Sequence, residues 1–569
     1  MIKHSTASFF LVFMMVFSCL AIISDRNIIQ IVYAEDEHAA VDGQDETAQI
    51  TFSTEAGANI EGKTVELCAP DGYDIYYTVD GSDPTTTSAK YTEPLTLQAN
   101  SSVLAAEADL ICVGDFKIYE DNTLPKAVTL KAMAVSSDGA VTPVATRTYF
   151  FQNREPVIVI ALSTDYSNLL DYDFGIMVKG AYYDAWANTP EAQPVLENNE
   201  TWHYQGNYTQ KGKDWERPAT IEIFDDLYGQ ETYILDNCGI RLRGGASREY
   251  AQKSFNIYFK DSYGSKVLDY SLFDDARNFD GGLLTSYKGF ALRNGGNDTN
   301  FLKFHDSLIQ NLAKDLNVTT QAFRPAVLYL NGEYMGVYVL QEKYSDKFIA
   351  DHYNVNEKNV IIVEEGKIDE GEDEDISFYE DMMSFADKNL SEAAVYNEFC
   401  NIVDIDSMID FYAVQIYISN ADWNPEKNTR IWRVRTPEND HYGDGKWRWI
   451  LYDTEFSSSL HNKESTSFEC DSYVRTIEED PLFASVVKNP DFYNKFAERI
   501  NYLSDNTFAP EKVSAEVDRL AALYKPFMPD YYKRFGDTSE KWDININNIK
   551  TFFENRSGVI LDAVQNGQL

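Results

Sequence analysis

The chain changes the period of its apolar residues at one place. Up to about residue 345 they alternate with polar residues or run in short blocks between turn residues; from Ser377 on they recur at helical spacing. A strand repeats a face every second residue and a helix every third or fourth. This change therefore restricts the fold to a strand-built part followed by a helix-built part, an α+β arrangement rather than regular βαβ alternation. Within the strand-built part, Gln49 to Phe151 carries short β-branched and aromatic runs (Ile75 to Thr78, Val128 to Val135, Ala145 to Phe150) between turn clusters such as Ala69-Pro70-Asp71-Gly72. That spacing predicts an immunoglobulin-like β-sandwich over 49–152. Near Gln152 to Pro156 a second unit begins, 153–569, with a β-rich lobe over about 153–345 and a helical lobe over about 376–569. Both units are compositionally complete, so the second is expected to fold alone.

Local signals place the elements within this frame. Ala326 to Leu340, with Asn331-Gly332 at its centre, is a two-residue hairpin. Thr299 to Leu316 reads as an amphipathic helix capped by Asp298 or Thr299. The acidic run Glu364 to Asp375 is expected to be a mobile loop.

Of 569 residues, 49 are Lys or Arg and 91 are Asp or Glu, a net charge of −42. Such a surface disfavours nucleic acid, whose binding rests on basic side chains, and anionic membranes. Lys3 and His4 precede an apolar run from Phe9 to Ile23, and Val32-Tyr33-Ala34 offers a small-residue cleavage site. Residues 1–34 are thus expected to be a signal peptide and 35–48 an acidic linker, leaving no membrane span after cleavage. Cys68 and Cys112 share one small unit, and both disulfide pairing and two free thiols are open.

The residue types that carry chemistry gather between Ile416 and Ser458. A helix-like run ends in Asn420-Ala421-Asp422-Trp423-Asn424-Pro425; Asn428 follows; a strand, a turn-rich insert and a second strand lead to Asp453, with Glu455 two residues on. Loops and strand ends on a rigid scaffold display functional groups. Phosphoryl transfer needs a carboxylate to orient the attacking hydroxyl, and an Asn and a second carboxylate to hold Mg²⁺. Asp422, Asn428 and Asp453 occur in that order. The plainer alternative is an Asx turn and a helix cap. Upstream, Arg243-Gly244-Gly245-Ala246-Ser247 forms a turn between two strands whose backbone N–H groups suit phosphate, with Arg243 or Lys253 to neutralise it.

Asn420-Ala421-Asp422-Trp423, Trp449-Ile450-Leu451-Tyr452-Asp453, Leu292-Arg293-Asn294 and Asn331-Gly332-Glu333-Tyr334-Met335-Gly336-Val337-Tyr338 resemble the CotH family of spore-coat-type, protein-kinase-like proteins, over about residues 155 to 560. The resemblance implies a two-lobed protein-kinase-like domain that uses ATP and Mg²⁺ or Mn²⁺ to phosphorylate proteins. It implies protein substrates of a spore coat or cell surface, and a secreted, cell-surface or spore-coat location. Under it Asp422 is the catalytic Asp and Asp453 the metal Asp, with Glu455 a further metal candidate. The family's Asn usually follows the Asp more closely than Asn428 does, so Asn424 and Asn428 both remain open as the second ligand. Lys253 is the candidate phosphate lysine, Asp306 its helix-borne partner and Glu342 a nucleotide contact at the junction of the lobes. Tyr76 to Thr85 and Tyr91 to Leu95 resemble the immunoglobulin-like C-terminal domain of chitobiases and β-hexosaminidases, which leaves a glycan contact or a spacer role for that module. Two other classes remain: a catalytically silent coat or scaffold protein, and a carbohydrate-active enzyme whose paired carboxylates flank a glycosidic bond.

Overall fold

A computed structural model of the chain describes residues 49–226, 231–438, 441–460, 463–536 and 540–567. The expected signal peptide and acidic linker, residues 1–48, lie outside them.

The N-terminal module has a four-stranded antiparallel sheet in the order Ala89–Lys90, Tyr73–Thr78, Ala127–Ser136, Ala145–Phe150, and a small ribbon of Thr51–Phe52 with Leu67–Cys68. Val65, Leu67, Ile75, Val128, Leu130 and Tyr149 close its own small core. Cys68 is exposed, Cys112 is buried, and both are free thiols.

Seven strands then close a barrel: Ser254–Tyr258, Gly289–Arg293, Glu333–Glu342, Phe323–Leu330, Ile158–Ser163, Arg217–Asp225 and Thr232–Arg243. All neighbours are antiparallel except Phe323–Leu330 beside Ile158–Ser163, where Val327 faces Val159. The Asn331-Gly332 turn is present, both residues left-handed at φ 51° and 82°, as a tight hairpin requires. Alternation divides the strands into two faces. Ile160, Ile240, Leu242, Phe255, Ile257, Leu292, Leu328 and Leu340 pack into one core. Val159, Val327, Val337 and Val339 face the other way and join the core of the helices.

The barrel and the N-terminal module share that second core. Leu124, Ala127 and Phe150 pack in the same apolar cluster as Phe224, Tyr329 and Tyr334, and Phe150 meets Phe224 and Tyr329 edge-on. Removing an aromatic from such a place costs about 3–5 kcal/mol. A Cβ at Gly332 would meet the Ala127 carbonyl oxygen at 2.8 Å, so the hairpin tip requires glycine to approach the module. The boundary near residue 152 therefore marks a change of sheet and not a break in the core. The expectation that 153–569 stands alone is corrected on this ground.

The helix predicted from Thr299 begins instead at His305 and runs to Ala313. Asp298 does accept from Leu302 N–H and His305 N–H, both at 2.8 Å, across an intervening turn. The acidic stretch is also corrected: Val360–Glu364 and Lys367–Glu370 form a hairpin that edges a second sheet with Arg430–Val434 and Arg448–Ile450. Its charge is tied down by Arg435 to Asp375 and Arg430 to Glu364. Helices from Ile376–Met383 to Glu540–Asn566 complete the molecule. The helix Ile405–Tyr417, almost wholly buried, delivers the chain to Asp422. No helix among the described residues is long and apolar enough to cross a membrane.

Candidate functional site

A cleft of about 470 Å³ lies between the outward face of the barrel and the second sheet. It is within the range of small-molecule sites. Its lining is unlike the rest of the chain: seven basic side chains (Lys211, Arg243, Arg248, Arg293, Lys343, Lys427, Arg430) against five acidic ones (Glu364, Glu365, Asp369, Asp422, Asp453). In a chain with nearly twice as many acidic as basic residues, this concentration favours an anionic ligand.

Strand alternation decides which sequence candidates reach the cleft. Arg243, Ser254, Asn256, Arg293 and Lys343 share the outward face and line it. Arg243 Nη1 donates to Asn256 Oδ1 at 3.4 Å. Lys253 has the parity of Phe255 and Ile257 and is fully buried on the other side. Its Nζ donates to the Arg248 carbonyl at 2.7 Å and the Ile111 carbonyl at 3.3 Å, over the Tyr208 ring. Burial lowers its pKa to about 8. Its proposed place as the phosphate lysine is thus corrected, and Lys343 is the lysine that the barrel presents to the cleft. Glu342 likewise turns away: it accepts from Ala322 N–H at 2.8 Å and pairs with His352 Nε2 at 3.0 Å, so it is no nucleotide contact. The signal that separates 342 from 343 and 253 from 254 is the period-2 pattern itself, read from Leu340 and Phe255.

The glycine turn sits above the cleft, with Gly244 at φ 111°. Arg248, itself buried, holds it in place: Nη2 donates to the Leu242 carbonyl at 2.8 Å and Nη1 to the Gln210 carbonyl at 2.7 Å. The second of these bonds also fixes the segment that carries Lys211.

At the far wall Asp422, Asn428 and Asp453 come together. Asn428 Nδ2 donates to the Asp422 carbonyl at 2.7 Å and to Asp422 Oδ2 at 3.3 Å, and Lys427 Nζ pairs with Asp422 Oδ1. Burial raises the Asp422 carboxyl above its ordinary range and nearby Asp453 adds to this, against the pull of Lys427. Asn424 lies outside: its Oδ1 accepts from Glu426 N–H in a turn. Of the two candidate asparagines only Asn428 lines the cleft.

Arg293 is the hub beneath Asp453, and sequence reading gave it no role. Its Nη2 lies 2.6 Å from Asp453 Oδ1 and 2.5 Å from Glu455 Oε1, and its Nη1 3.2 Å from Asp306 Oδ2. Asp306 therefore pairs with Arg293 and not with Lys253; its Oδ1 accepts from Thr454 N–H and Oγ1–H. Three carboxylates surround one guanidinium. Glu455 is buried, paired with Arg293 through Oε1 and hydrogen-bonded with Asp453. Burial drives its carboxyl well above the ordinary range, with Asp453 and Asp306 adding to it and Arg293 opposing. For Asp453 burial is the largest single influence and acts upward, but Arg293, the hydrogen bond with Glu455 and Arg243 together hold the carboxyl below the ordinary range. A Cβ on Gly296 would come within 2.8 Å of Arg293 Nη2 and Glu455 Oε1, so glycine keeps this pocket open.

Asp453 and Asn428 are the hard donors that line the cleft, with Glu455 buried behind them. Mg²⁺ is commonly held by one or two carboxylates together with substrate phosphates, and Asp453, Glu455 and the Asn428 amide offer hard oxygen donors with excess negative charge. No group of three or more His, Cys, Asp or Glu arranged to hold a metal occurs among the described residues. The backbone here is strained: Ser419, Asn428, Asp453, Ser458 and Ser459 all have φ between 50° and 65°. Left-handed non-glycine residues of this kind concentrate at functional sites.

The family model described as CotH kinase protein matches residues 240–560, more than half of the chain. The chain belongs to the CotH kinase protein family. Every cleft residue named above except Lys211 lies inside that CotH match. A second model, described as Fn3 associated, matches residues 65–149, the N-terminal module; the chitobiase resemblance is not matched. A search of curated proteins returns no match.

Proposed function

We propose that this CotH protein is an exported kinase that transfers the γ-phosphoryl group of ATP to a protein hydroxyl with the help of Mg²⁺ or Mn²⁺. The observation that carries this reading is the cleft, which sets basic side chains and a glycine turn opposite Asp422, Asn428 and Asp453. Arg243, Lys343 and the turn's backbone N–H groups bind phosphate oxygens. Asp453, with Asn428 and Glu455, holds the cation, which when bound neutralises charge on the transferring phosphoryl group. Asp422 accepts a hydrogen bond from the incoming hydroxyl and orients it, a role worth about 10²–10⁴-fold in rate. In that state Lys427 must leave Oδ1, or the hydroxyl must use Oδ2. The substrates that suit this reading are coat or cell-surface proteins, reached by export through residues 1–34.

A second reading is supported by the same geometry. Lys427 closes on Asp422, and the helix carboxylate Asp306 pairs with Arg293 instead of a lysine. A protein that binds nucleotide, or only its partners, without transfer would show this too. The test is incubation of the purified protein with radiolabelled ATP, Mn²⁺ and a candidate coat protein, with free phosphate measured separately. Label on protein supports the kinase. ATP binding without label supports the silent scaffold.

A further inference from the structure

Between the first barrel strand and the cleft the chain makes an excursion, residues 166–209, that none of the chemistry above uses. Its helix Gly180–Ala187 contains Tyr182, Tyr183 and Trp186, yet buries none of its eight residues. Short helices are normally held by an apolar face packed on a core. Here Tyr182 alone of the helix rings leans on the barrel core, against Trp215, and the others pack on a neighbouring ring. Tyr183, Trp186 and Tyr204 form a triangle with centroids 5.8, 6.0 and 5.4 Å apart. Beside this triangle the two most exposed aromatic side chains among the described residues are found, Tyr172 at 55% and Trp202 at 53%. A half-buried aromatic triangle with two exposed rings nearby in the same excursion offers a surface on which a ligand can stack.

Charge narrows the occupant. Residues 166–209 carry six acidic side chains and one lysine, which repels polyanions. A protein partner fits poorly as well, because interface cores are depleted of Asp and Glu and residues 166–209 themselves expose no Leu, Ile, Val or Met, although the exposed Leu110 adjoins them through the bond from Lys179 N–H to its carbonyl. What surrounds them is hydrogen-bonding side chains. Asp184, Asn188, Asn199 and Gln205 are exposed, and Tyr172 O–H donates to Asp184 Oδ2 at 2.7 Å. Ring faces that accept C–H groups, ringed by amide and carboxylate acceptors for hydroxyls, are the chemistry of a sugar chain. We propose that residues 166–209 form a platform that binds a neutral polysaccharide. The same excursion continues directly into Lys211 on the cleft wall, so a protein bound to glycan here would hold its cleft close to the glycan-bearing surface.

Native gels of the full chain containing soluble β-glucan, xylan, galactomannan or polygalacturonate test this. Retardation by at least one neutral polymer is expected, and none by polygalacturonate. Trp186→Ala and Trp202→Ala should each weaken it roughly ten-fold, about the loss of one good aromatic contact. ATP binding by both variants should match the parent, which separates this outcome from any failure of the kinase reading. Trp202 is the more exposed, so its variant serves if Trp186→Ala fails to fold. No retardation by any neutral polymer, retardation by polygalacturonate alone, or retardation that survives both substitutions overturns the platform. So does binding of free choline that Trp186→Ala abolishes while no polymer is retained.

Discussion

Two guanidinium–carboxylate networks hold this molecule together, and they are built to opposite rules. At the junction of the N-terminal module, the barrel and the C-terminal helices, Arg534 meets Glu333 at 2.8 Å. Glu333 is one carboxylate against one guanidinium, and its oxygens also accept from Ser102 O–H, Leu104 N–H at 3.1 Å and Tyr166 O–H at 3.0 Å. Every lone pair that burial exposes to cost is answered. At the cleft one guanidinium, Arg293, faces three carboxyl groups, Asp306, Asp453 and Glu455. A neutral network, matched at every Glu333 oxygen and unmatched at Arg534 Nε, stabilises a junction. One with three carboxyl groups on a single guanidinium is less favourable on its own, and it lies at the cleft wall.

Substitutions should therefore separate the two. The largest effect is expected at Asp422: Asp422→Asn lowers phosphotransfer by about 10²–10⁴-fold with ATP affinity and melting temperature near the parent's, read by transfer assay, calorimetric titration and thermal melt. Full transfer by this variant removes Asp422 from the chemistry. Next, Arg534→Met leaves Glu333 buried without its charge partner and should cost about 3–5 kcal/mol in urea unfolding, while the folded protein keeps its nucleotide affinity. A chain that begins at residue 153 loses the Ser102 and Leu104 donors together with Phe150, and should be insoluble. Third, Lys343→Met should weaken ATP binding roughly ten-fold, whereas Lys253→Met leaves it unchanged. The reverse ranking would mean that alternation has been misread.

The smallest effect concerns pH. The Glu455 carboxyl is raised in the fold, so the native state keeps a proton that the unfolded chain releases above about pH 4.5. Its contribution is fully present below that pH and is lost as pH rises beyond it. Melting temperatures across acid to neutral pH should fall more for the parent than for Glu455→Gln, and added Mn²⁺ should reverse the loss in the parent only.

Local signals were legible because they are local. Asn331-Gly332 specifies its hairpin, and the helices from Ile376 onward follow their apolar stripes. Asp422, Asn428 and Asp453 were named from their order, and the fold brings all three to one cleft. What stayed hidden depends on partners far along the chain. Barrel closure rests on Val159 meeting Val327, and the fusion of the N-terminal module on Phe150 meeting Phe224. Lys253 and Glu342 were chosen by residue type, yet each is one position off the face that reaches the cleft. The acidic hairpin reads as a loop in the sequence because its balancing charges, Arg430 and Arg435, come sixty or more residues after their partners.

The left-handed backbone at Asn428 and Asp453 also bears on how such a protein changes over generations. Asparagine and aspartate tolerate this conformation better than other side-chain-bearing residues, so drift at Asp453 is channelled toward asparagine. The two amino acids differ by one nucleotide. Asp453→Asn keeps the left-handed turn while removing one negative charge from the cleft. Under the kinase reading, a lineage could abandon phosphoryl transfer in a single step and retain the folded protein, and the return path is as short.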